Sequence, residues 1–325
     1  MKLLATLFYC ALCSVATLIT PLAMAQDWPT RAVKIIVPYP PGGGVDLLAR
    51  ALAQRLQEKW RHPVTIDNRP GANTLIGTEA VARSTDEHTL LLTTDATFTI
   101  NPHLYAKLPY SLDKDFSPIT QLVSFSQMLV VNNDFPANTL SELLALARAK
   151  PGSLSYASYG PGSQPQLATE TLKQKAKVFI VHIPYRGIPQ AVTAVSSGEV
   201  PITWSGLVSA RAPIASKRIK PIAYGGKTRA AAYPSVPTMT ELGYPEVDAN
   251  VWIGVFAPSA MPVSLIGRIN RDLVSILSEP EFRAREVEGK SYDFLGAGPE
   301  AFRKAIERES ATRKVTLKTS GATLD

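Results

Sequence analysis

The sequence predicts an α/β protein built from two domains. Short apolar or β-branched segments alternate with longer segments of helical periodicity, and this alternation occurs twice along the chain. Each of the two stretches also contains a glycine-rich turn between a strand and the helix that follows it. With 325 residues, the chain is long enough for about two domains of ordinary size.

The first stretch begins with a strand, a glycine-rich turn and a helix. Residues 33–37 are β-branched and apolar, and residues 38–44 have the composition of a turn. The helix runs to Trp60, because large apolar residues recur every four positions from Leu48 and form one face. We expect Asp46 to cap this helix. Strands over 64–66 and 89–93 and a helix over 75–82 complete a predicted parallel, doubly wound sheet.

The second stretch follows a segment rich in proline and tyrosine, residues 101–116, which we interpret as a long surface connection. Its expected strands are 128–131, 154–157, 178–181, 200–203 and 219–224, and its expected helices are 140–149, 166–175 and 189–197. Two last helices, 263–278 and 299–314, are expected to return to the first domain. The predicted domains are therefore residues 26–125 with 249–325, and residues 126–248, with a ligand cleft between them.

The N-terminal residues predict export. Lys2 precedes an apolar run that ends at Ile19, and an A-x-A site ends at Ala25, so we predict a signal peptide of residues 1–25 that is cleaved after Ala25. The run is too short, and too often interrupted, for a membrane-spanning helix. Both cysteines, Cys10 and Cys13, lie in this segment. The predicted mature chain therefore has no thiol for a disulfide or a metal site.

The charge pattern argues against nucleic acid as a partner. Lys and Arg total 34 and Asp and Glu total 27, which gives a formal net charge of +7. The excess is spread along the chain and forms no basic block with interleaved aromatic residues. A weak attraction for anionic solutes and ordinary solubility explain this charge equally well.

The two glycine-rich turns are the main candidates for a binding site. In open α/β sheets, ligands bind where a strand ends and a helix begins, and the N–H groups of the helix start favour an anion. The first turn lacks the lysine of a phosphate-binding P-loop and does not match the dinucleotide-binding pattern. A purely structural turn is the alternative interpretation. Two such turns on opposite sides of a cleft would offer backbone N–H groups to one carboxylate.

Other residues give weaker signals. Asp95 follows the strand 89–93, where its charge would favour a ligand amine, and Arg186 is able to hold a carboxylate or to lie in a surface turn. The four histidines form no pair with zinc-site spacing, and Ser163 does not lie in a G-x-S-x-G motif. The sequence therefore predicts no catalytic residue, no metal and no cofactor.

Several segments together resemble one known family. They are IIVPYPPGGGVDLLAR, DNRPGANTLIG, YASYGPGS, HIPYRG, YPSVPTMTELGYP and WIGVFAPSAMP, and they occur in the same order in the receptors of tripartite tricarboxylate transporters, also called Bug proteins. The resemblance spans nearly all of the predicted mature chain. It implies a periplasmic, type II solute-binding protein with the two-domain Venus flytrap fold, in which each domain is a mostly parallel sheet flanked by helices.

The resemblance also implies a function and a site. Such a receptor captures a small carboxylate, such as an organic, aromatic or amino acid, for the membrane permease subunits of its transporter, and we expect it to be a monomer. The implied ligand-binding residues, together with those selected above, are Tyr39, Pro41, Gly42, Gly43, Asp46, Thr94, Asp95, Ala96, Thr97, Ser158, Gly160, Gly162, Ser163, Gln164, Tyr185, Arg186, Gly187 and Trp204.

The sequence departs from the family pattern in the segment from Glu199 to Trp204. An acidic group is usual there, whereas this chain has Pro201 with Trp204 nearby. We interpret this change as a sign of a different or more apolar ligand. A periplasmic sensor that presents its ligand to a signalling partner is an alternative function, and a hydrolase is another.

Overall fold

The computed structural model describes residues 28–320, and residues 31–320 of it belong to one compact unit that holds all its helices and strands. The strands are β1 Val33–Val37, β2 Val64–Asn68, β3 Thr89–Thr94, β4 Phe116–Ser126, β5 Met128–Asn132, β6 Ser155–Ser158, β7 Val181–Pro184, β8 Ile202–Ser205, β9 Ile219–Tyr224, β10 Asn250–Pro258 and β11 Asp293–Ala297. The α-helices are α1 Gly44–Trp60, α2 Leu75–Ala82, α3 Asn101–Leu104, α4 Leu112–Asp115, α5 Leu140–Ala149, α6 Gln164–Ala176, α7 Ile188–Ser196, α8 Leu207–Ala215, α9 Val263–Ser278, α10 Pro280–Phe282 and α11 Pro299–Ser320.

The strands form two sheets, which define two lobes. The first lobe has a six-stranded sheet in the order β11-β4-β10-β3-β1-β2, and the second has a five-stranded sheet in the order β7-β6-β8-β5-β9. In the first sheet β1 is parallel to β2 and β3, whereas β10 is antiparallel to β3 and β4. In the second sheet β6 is parallel to β7 and β8, whereas β5 is antiparallel to β8 and β9.

This architecture confirms the predicted α/β fold with two sheets flanked by helices, but each sheet is mixed rather than mostly parallel. The strand–helix–strand units recognised in the sequence supply the parallel part of each sheet. The antiparallel pairs involve β4, β5, β9 and β10, which lead from one lobe to the other or return from it, and β11, which pairs with β4. Within the described residues, no α-helix separates β4 from β5 or β9 from β10, so the strand–helix alternation in the sequence does not indicate how these strands pair.

The chain changes sheets at two neighbouring points. β4 ends at Ser126 and β5 begins at Met128, so Gln127 alone joins the two sheets there. The backbone N–H of Gln127 donates to the carbonyl of Ala249, at 3.0 Å, just before β10 begins. The two crossings therefore lie side by side. The domain boundaries given above stay a prediction.

Each lobe has its own core. In the first lobe, Phe98, Phe256 and Phe302 pack with Trp252 beneath the sheet, and the Phe98 and Phe256 ring centroids are 4.5 Å apart. In the second lobe, the sheet packs against α5 and α6 around a fully buried Trp204. The loops described below emerge from strands and helices that these two clusters pack together.

Several predicted elements differ from the observed ones. The strand predicted over 178–181 is β7, Val181–Pro184, because the pairing of Ser155 with Val181 fixes its register on β6. The segment 101–116 is not a surface connection, since it contains α3 and α4 and buries Asn101 and Tyr110. β4, β10, β11, α8 and α10 were not predicted.

The predicted signal peptide, residues 1–25, lies outside the described residues. Within residues 28–320, no helix has both the length and the apolar character that crossing a membrane requires.

Candidate ligand-binding site

A cavity of about 60 Å³ lies between the two lobes. Both lobes contribute to its wall, and Gln127, at the crossing between the sheets, contributes as well. The other lining residues are Tyr39, Pro40, Gly43, Gly44, Val45, Thr94, Phe125, Val251 and Tyr292 from the first lobe, and Tyr159, Ile188, Pro189, Gly206, Val208 and Ser209 from the second. Since one water needs about 10 to 15 Å³ on this scale, the space suits a small molecule.

The N-terminal ends of three helices meet at this cavity. Gly43–Val45 belong to the start of α1, Ile188 and Pro189 to the start of α7, and Gly206–Ser209 to the start of α8. The first N–H groups of a helix have no acceptor within the helix, and the helix dipole adds partial positive charge there. The cavity is therefore a favourable place for an anion.

The loop before α1 is held in shape by Asp46. The backbone N–H of Gly42, which has a left-handed φ of 85°, donates to Asp46 Oδ2 at 2.9 Å. Arg50 Nε donates to the same oxygen at 3.0 Å, and Asn68 Nδ2 donates to Asp46 Oδ1 at 2.9 Å. Asn68 Nδ2 also donates to the carbonyl of Tyr39. Asp46 thus ties the loop to the helix and to β2.

This arrangement corrects two expectations for Asp46. It does not cap α1, because the N-cap is Gly43 and Asp46 lies within the first turn. Its side chain does not line the cavity either, because it is 2% exposed and both oxygens accept hydrogen bonds from the protein. Burial alone would raise the pKa of Asp46, but hydrogen bonds from Arg50, Gly42 and Asn68 together lower it.

The loop before α6, in the second lobe, is held by a hydrogen bond of the same kind, from a glycine N–H to a side chain four residues further along. The backbone N–H of Gly162, at a left-handed φ of 75°, donates to Gln166 Oε1 at 2.6 Å, four residues further along. Ser158 Oγ accepts from the backbone N–H of Gly160 at 3.0 Å and lies 2.6 Å from His182 Nε2. The Gly42 and Gly162 N–H groups therefore stabilise the loops, and donation to a ligand from the backbone of these turns stays a prediction.

Tyr39 and Thr94 are predicted site residues that do line the cavity, and they are bonded to each other. Tyr39 Oη lies 2.7 Å from Thr94 Oγ1. Burial is the main cause that raises the pKa of Tyr39 to about 12, so its hydroxyl is neutral at physiological pH. Gly43 is the third predicted residue on the wall. Thr97 lies behind them and bonds to Thr93 and Thr74 instead.

Asp95 lies in a buried cluster of charges and does not line the cavity. It is 1% exposed, and its Oδ2 is 3.9 Å from Arg313 of α11, which is 4% exposed. Arg313 also pairs with Asp248 at 3.1 Å and Glu309 at 3.3 Å. Burial raises the pKa of Asp95 well above its usual range, and the Glu309 carboxylate adds to this rise while Arg313 opposes it. A contact between Asp95 and a ligand amine is therefore not supported by its position.

The remaining predicted residues are placed around the cavity rather than in its wall. Tyr185 Oη donates to Glu199, Arg186 is exposed, and Gly187 packs closely against Pro40 of the first lobe. The other members of this group lie in the two glycine loops (Pro41, Gly42, Gly160, Gly162 and Ser163), at the end of β6 (Ser158), at the start of α6 (Gln164) and in the helical turn after β3 (Ala96). Gln164 Nε2 donates to the carbonyl of Asp248 at 2.5 Å, which links α6 to the return crossing.

The expectation that Trp204 forms a wall of the cleft is wrong. Its ring is 0% exposed and packs in the core of the second lobe. Its indole N–H donates to Thr169 Oγ1 of α6 at 3.1 Å. Since side chains alternate along a strand, Ile202 and Trp204 share the face of β8 that packs in the core. Gly206 lies beyond the end of β8, where the chain leaves the sheet, and lines the cavity.

Most residues of the cavity wall were not among those predicted from the sequence. Gly206 repeats the pattern of the first turn, a strand followed by glycine and a helix, and this signal was available in the sequence. Phe125, Val251 and Tyr292 gave no such signal, because they lie in or beside antiparallel strands whose partners are distant in the chain.

Comparison with known proteins places this architecture among the periplasmic binding proteins. A structure of BugD superposes with a TM-score of 0.86 at 27% identity, covering 91% of this chain and 99% of its own. A structure of an R. palustris protein with adipate gives a TM-score of 0.87 at 28% identity, with coverage of 91% and 99%. MatC from Rhodopseudomonas palustris with bound malate gives 0.84 at 25% identity, with coverage of 89% and 100%.

Sequence comparison narrows this class to one family. The model of the tripartite tricarboxylate transporter family receptor matches residues 48–316. A UPF0065 protein of Bordetella pertussis is 36% identical over 261 residues, 80% of each chain, and BugT of the same organism is 35% identical over 251 residues, 77% of each. The chain belongs to the tripartite tricarboxylate transporter receptor family, as its motifs predicted. The members of this family are periplasmic receptors rather than enzymes.

Proposed function

We propose that this protein captures a small carboxylate between its two lobes in the periplasm and delivers it to the permease subunits of a tripartite transporter. One observation carries the proposal: the N-terminal ends of α1, α7 and α8 meet at one cavity between the lobes. Helix N-termini stabilise anions without a formal positive charge. Two related proteins were solved with the carboxylates adipate and malate, which agrees with this proposal.

In the proposed site, the groups that contact the ligand are only partly the ones expected from the sequence. We assign the carboxylate to the starts of α1 and α8, near Gly44 and Gly206, with Tyr39 and Thr94 as neighbouring hydroxyls. Asp46 and Gln166 act as positioning residues, because they hold the two glycine loops in place. The protein is proposed to act as a monomer, without nucleic acid, after cleavage of its signal peptide following Ala25.

Thermal-shift measurements on the mature protein test the carboxylate. A ligand that binds only the folded state at 100 times its Kd stabilises that state by about 2.7 kcal/mol, which corresponds to a rise in Tm of about 5 °C or more. The panel should contain mono-, di- and tricarboxylates and the uncharged amides of the same acids. If no carboxylate raises the Tm, the proposal is refuted.

A pair of glycine variants tests the location of the site. A Cβ atom at Gly44 would lie 2.6 Å from Tyr292 Oη and 3.6 Å from Val208 Cβ, so Gly44→Val fills the cavity. Gly267→Val is the matched control, because a Cβ at Gly267 in α9 meets only Arg271 Nη1, at 3.6 Å. We expect the ligand-induced shift to be lost in the first variant and kept in the second. Equal binding by both would place the site elsewhere.

A further inference from the structure

The wall of the cavity contains no formal charge. Among its described lining residues there is no Lys, Arg, Asp or Glu, and the polar groups are hydroxyls, one amide side chain and backbone. The charged residues Asp46, Asp95 and Arg313 make their contacts with other protein groups, and the exposed Arg186 is not among the lining residues. A ligand in this cavity therefore meets dipoles and no ionised side chain.

Three helix N-termini offset about one negative charge. Each contributes at most about half an elementary charge of partial positive character, and this effect falls off within the first turn. One carboxylate is thus balanced at the junction of α1, α7 and α8. A second carboxylate on the same ligand would be removed from water with no cation to pair with, and burying an unpaired charge is strongly unfavourable.

Much of the remaining wall is apolar. Phe125, Val45, Ile188, Val208 and Val251 line the space, beside the hydroxyls and the one amide side chain noted above. Phe125 also packs against the ring of Tyr292, with centroids 5.4 Å apart. Apolar walls stabilise an apolar ligand body in proportion to the area that leaves water. A polar body would lose its hydrogen bonds with water here.

Tyr292 is the one buried hydroxyl of this wall that finds no hydrogen-bond acceptor or donor within residues 28–320. The residue is 4% exposed. Its oxygen would lie 2.6 Å from a Cβ on Gly44, which places it beside the start of α1. Burial raises its pKa, so the hydroxyl keeps its proton and is able to donate. Buried polar groups without a partner are uncommon, and a ligand atom would satisfy this one.

We infer that the ligand is a monocarboxylate with a compact apolar body, and that Tyr292 donates a hydrogen bond to its carboxylate. This inference rests on the proposed function, because it names the class of carboxylate that the same site selects. It separates the chain from the structurally similar proteins solved with adipate and malate, which are dicarboxylates.

Titration calorimetry with matched acids tests whether the site prefers a ligand with one carboxylate to a ligand with two. Each pair keeps one carbon skeleton and differs by one carboxylate: pentanoate with glutarate, hexanoate with adipate, and 4-methylbenzoate with terephthalate. We expect the monoacid of at least one pair to bind tenfold or more tightly than its diacid. If every diacid binds as tightly as its monoacid, or more tightly, the inference is overturned while the proposed capture of carboxylates stands. If no acid binds, both fail.

Tyrosine-to-phenylalanine variants test the hydroxyl. Tyr292→Phe keeps the ring against Phe125 and removes only the donor, so we expect the affinity for the preferred monoacid to fall by about tenfold or more. The affinity for the corresponding amide should change less, because hydrogen bonds to charged groups are the stronger ones. Tyr156→Phe is the matched control, since its buried hydroxyl donates to Glu170 outside the cavity. Equal affinities in the two variants would remove Tyr292 from the site.

Discussion

Replacement of Arg313 by methionine is expected to lower the free energy of unfolding by about 3 to 5 kcal/mol, because it leaves buried carboxylates without their cation. Arg313 is 4% exposed, and Asp95, which faces it, is 1% exposed. At 3.9 Å and an effective dielectric constant of 20, their attraction amounts to about 4 kcal/mol. The pair with Asp248 adds little, because that carboxylate is 53% exposed and screened by water.

The variant should also change how stability depends on pH. The pKa of Asp95 is raised in the folded state, so the folded protein holds this proton at pH values where the unfolded chain has lost it. Stability therefore falls as the pH rises from the ordinary Asp pKa of 3.8 through the raised value. Without Arg313, which opposes the rise, the pKa of Asp95 should be higher still, and this decline should extend to higher pH.

Urea titrations between pH 4 and 8 measure both effects. Arg308→Met, an exposed position on the same helix, is the control and should change the free energy of unfolding by no more than about 0.5 kcal/mol. Adding Asp95→Asn to Arg313→Met should recover part of the loss, because the amide removes the unpaired charge. If Arg313→Met costs no more than the control, or if its pH dependence matches the wild type, the reasoning about this cluster is refuted.

Three further predictions concern Trp204, Asp46 and the cleavage after Ala25. Trp204→Phe should lower stability by about 1 to 3 kcal/mol, through the lost bond to Thr169 and the space left in the core, without changing ligand affinity in calorimetry. Asp46→Asn should cost about 1 to 3 kcal/mol in urea titrations. Because the pKa of Asp46 is lowered by folding, the wild type should lose this contribution as the pH falls below 3.8 through the folded value, whereas the variant should not. Intact mass measurement of the protein exported to the periplasm should give a chain that begins at Gln26, and a chain that keeps residues 1–25 would contradict the predicted cleavage.

The sequence was most informative where a segment's structure depends on its own residues. The strand over 33–37 and the helices 75–82, 140–149 and 263–278 have the predicted bounds, because β-branched runs, apolar periodicity and a Thr139 cap act locally. β4 escaped prediction because Pro118, Gln121 and Ser124 interrupt its apolar pattern, and pairing with β10 is what stabilises it. Pro213 inside α8 hid that helix in the same way.

The candidate site was predictable in kind but not in detail. The first glycine turn precedes α1, whose N-terminal end lies at the cavity, whereas the second precedes α6, whose first residues are not in the wall. The sequence could not show that Asp46 and Gln166 already occupy the N–H groups of Gly42 and Gly162. It also could not show that Trp204 packs in the core rather than at the cleft, because β8 alternates apolar and polar residues while both of its faces are buried. The position of Tyr292 in the wall depends on how segments that are distant in the sequence pack together, which the local pattern around it does not indicate.

The position of Gln127 has a consequence for how a ligand is sensed. This residue forms one crossing between the sheets, bonds to the other crossing at Ala249, and also lines the cavity. A rotation of one lobe against the other would bend the chain at this pair of crossings, so Gln127 would lie near the axis, where displacement is smallest. Ile188 and Val208, which belong to the second lobe, would then move relative to Gly44 and Tyr292. A ligand that contacts both sets of residues would stabilise a closed arrangement of the lobes, and the outer surface of the protein would differ from that of the open arrangement. A ligand that contacts only Gln127 would have no such effect.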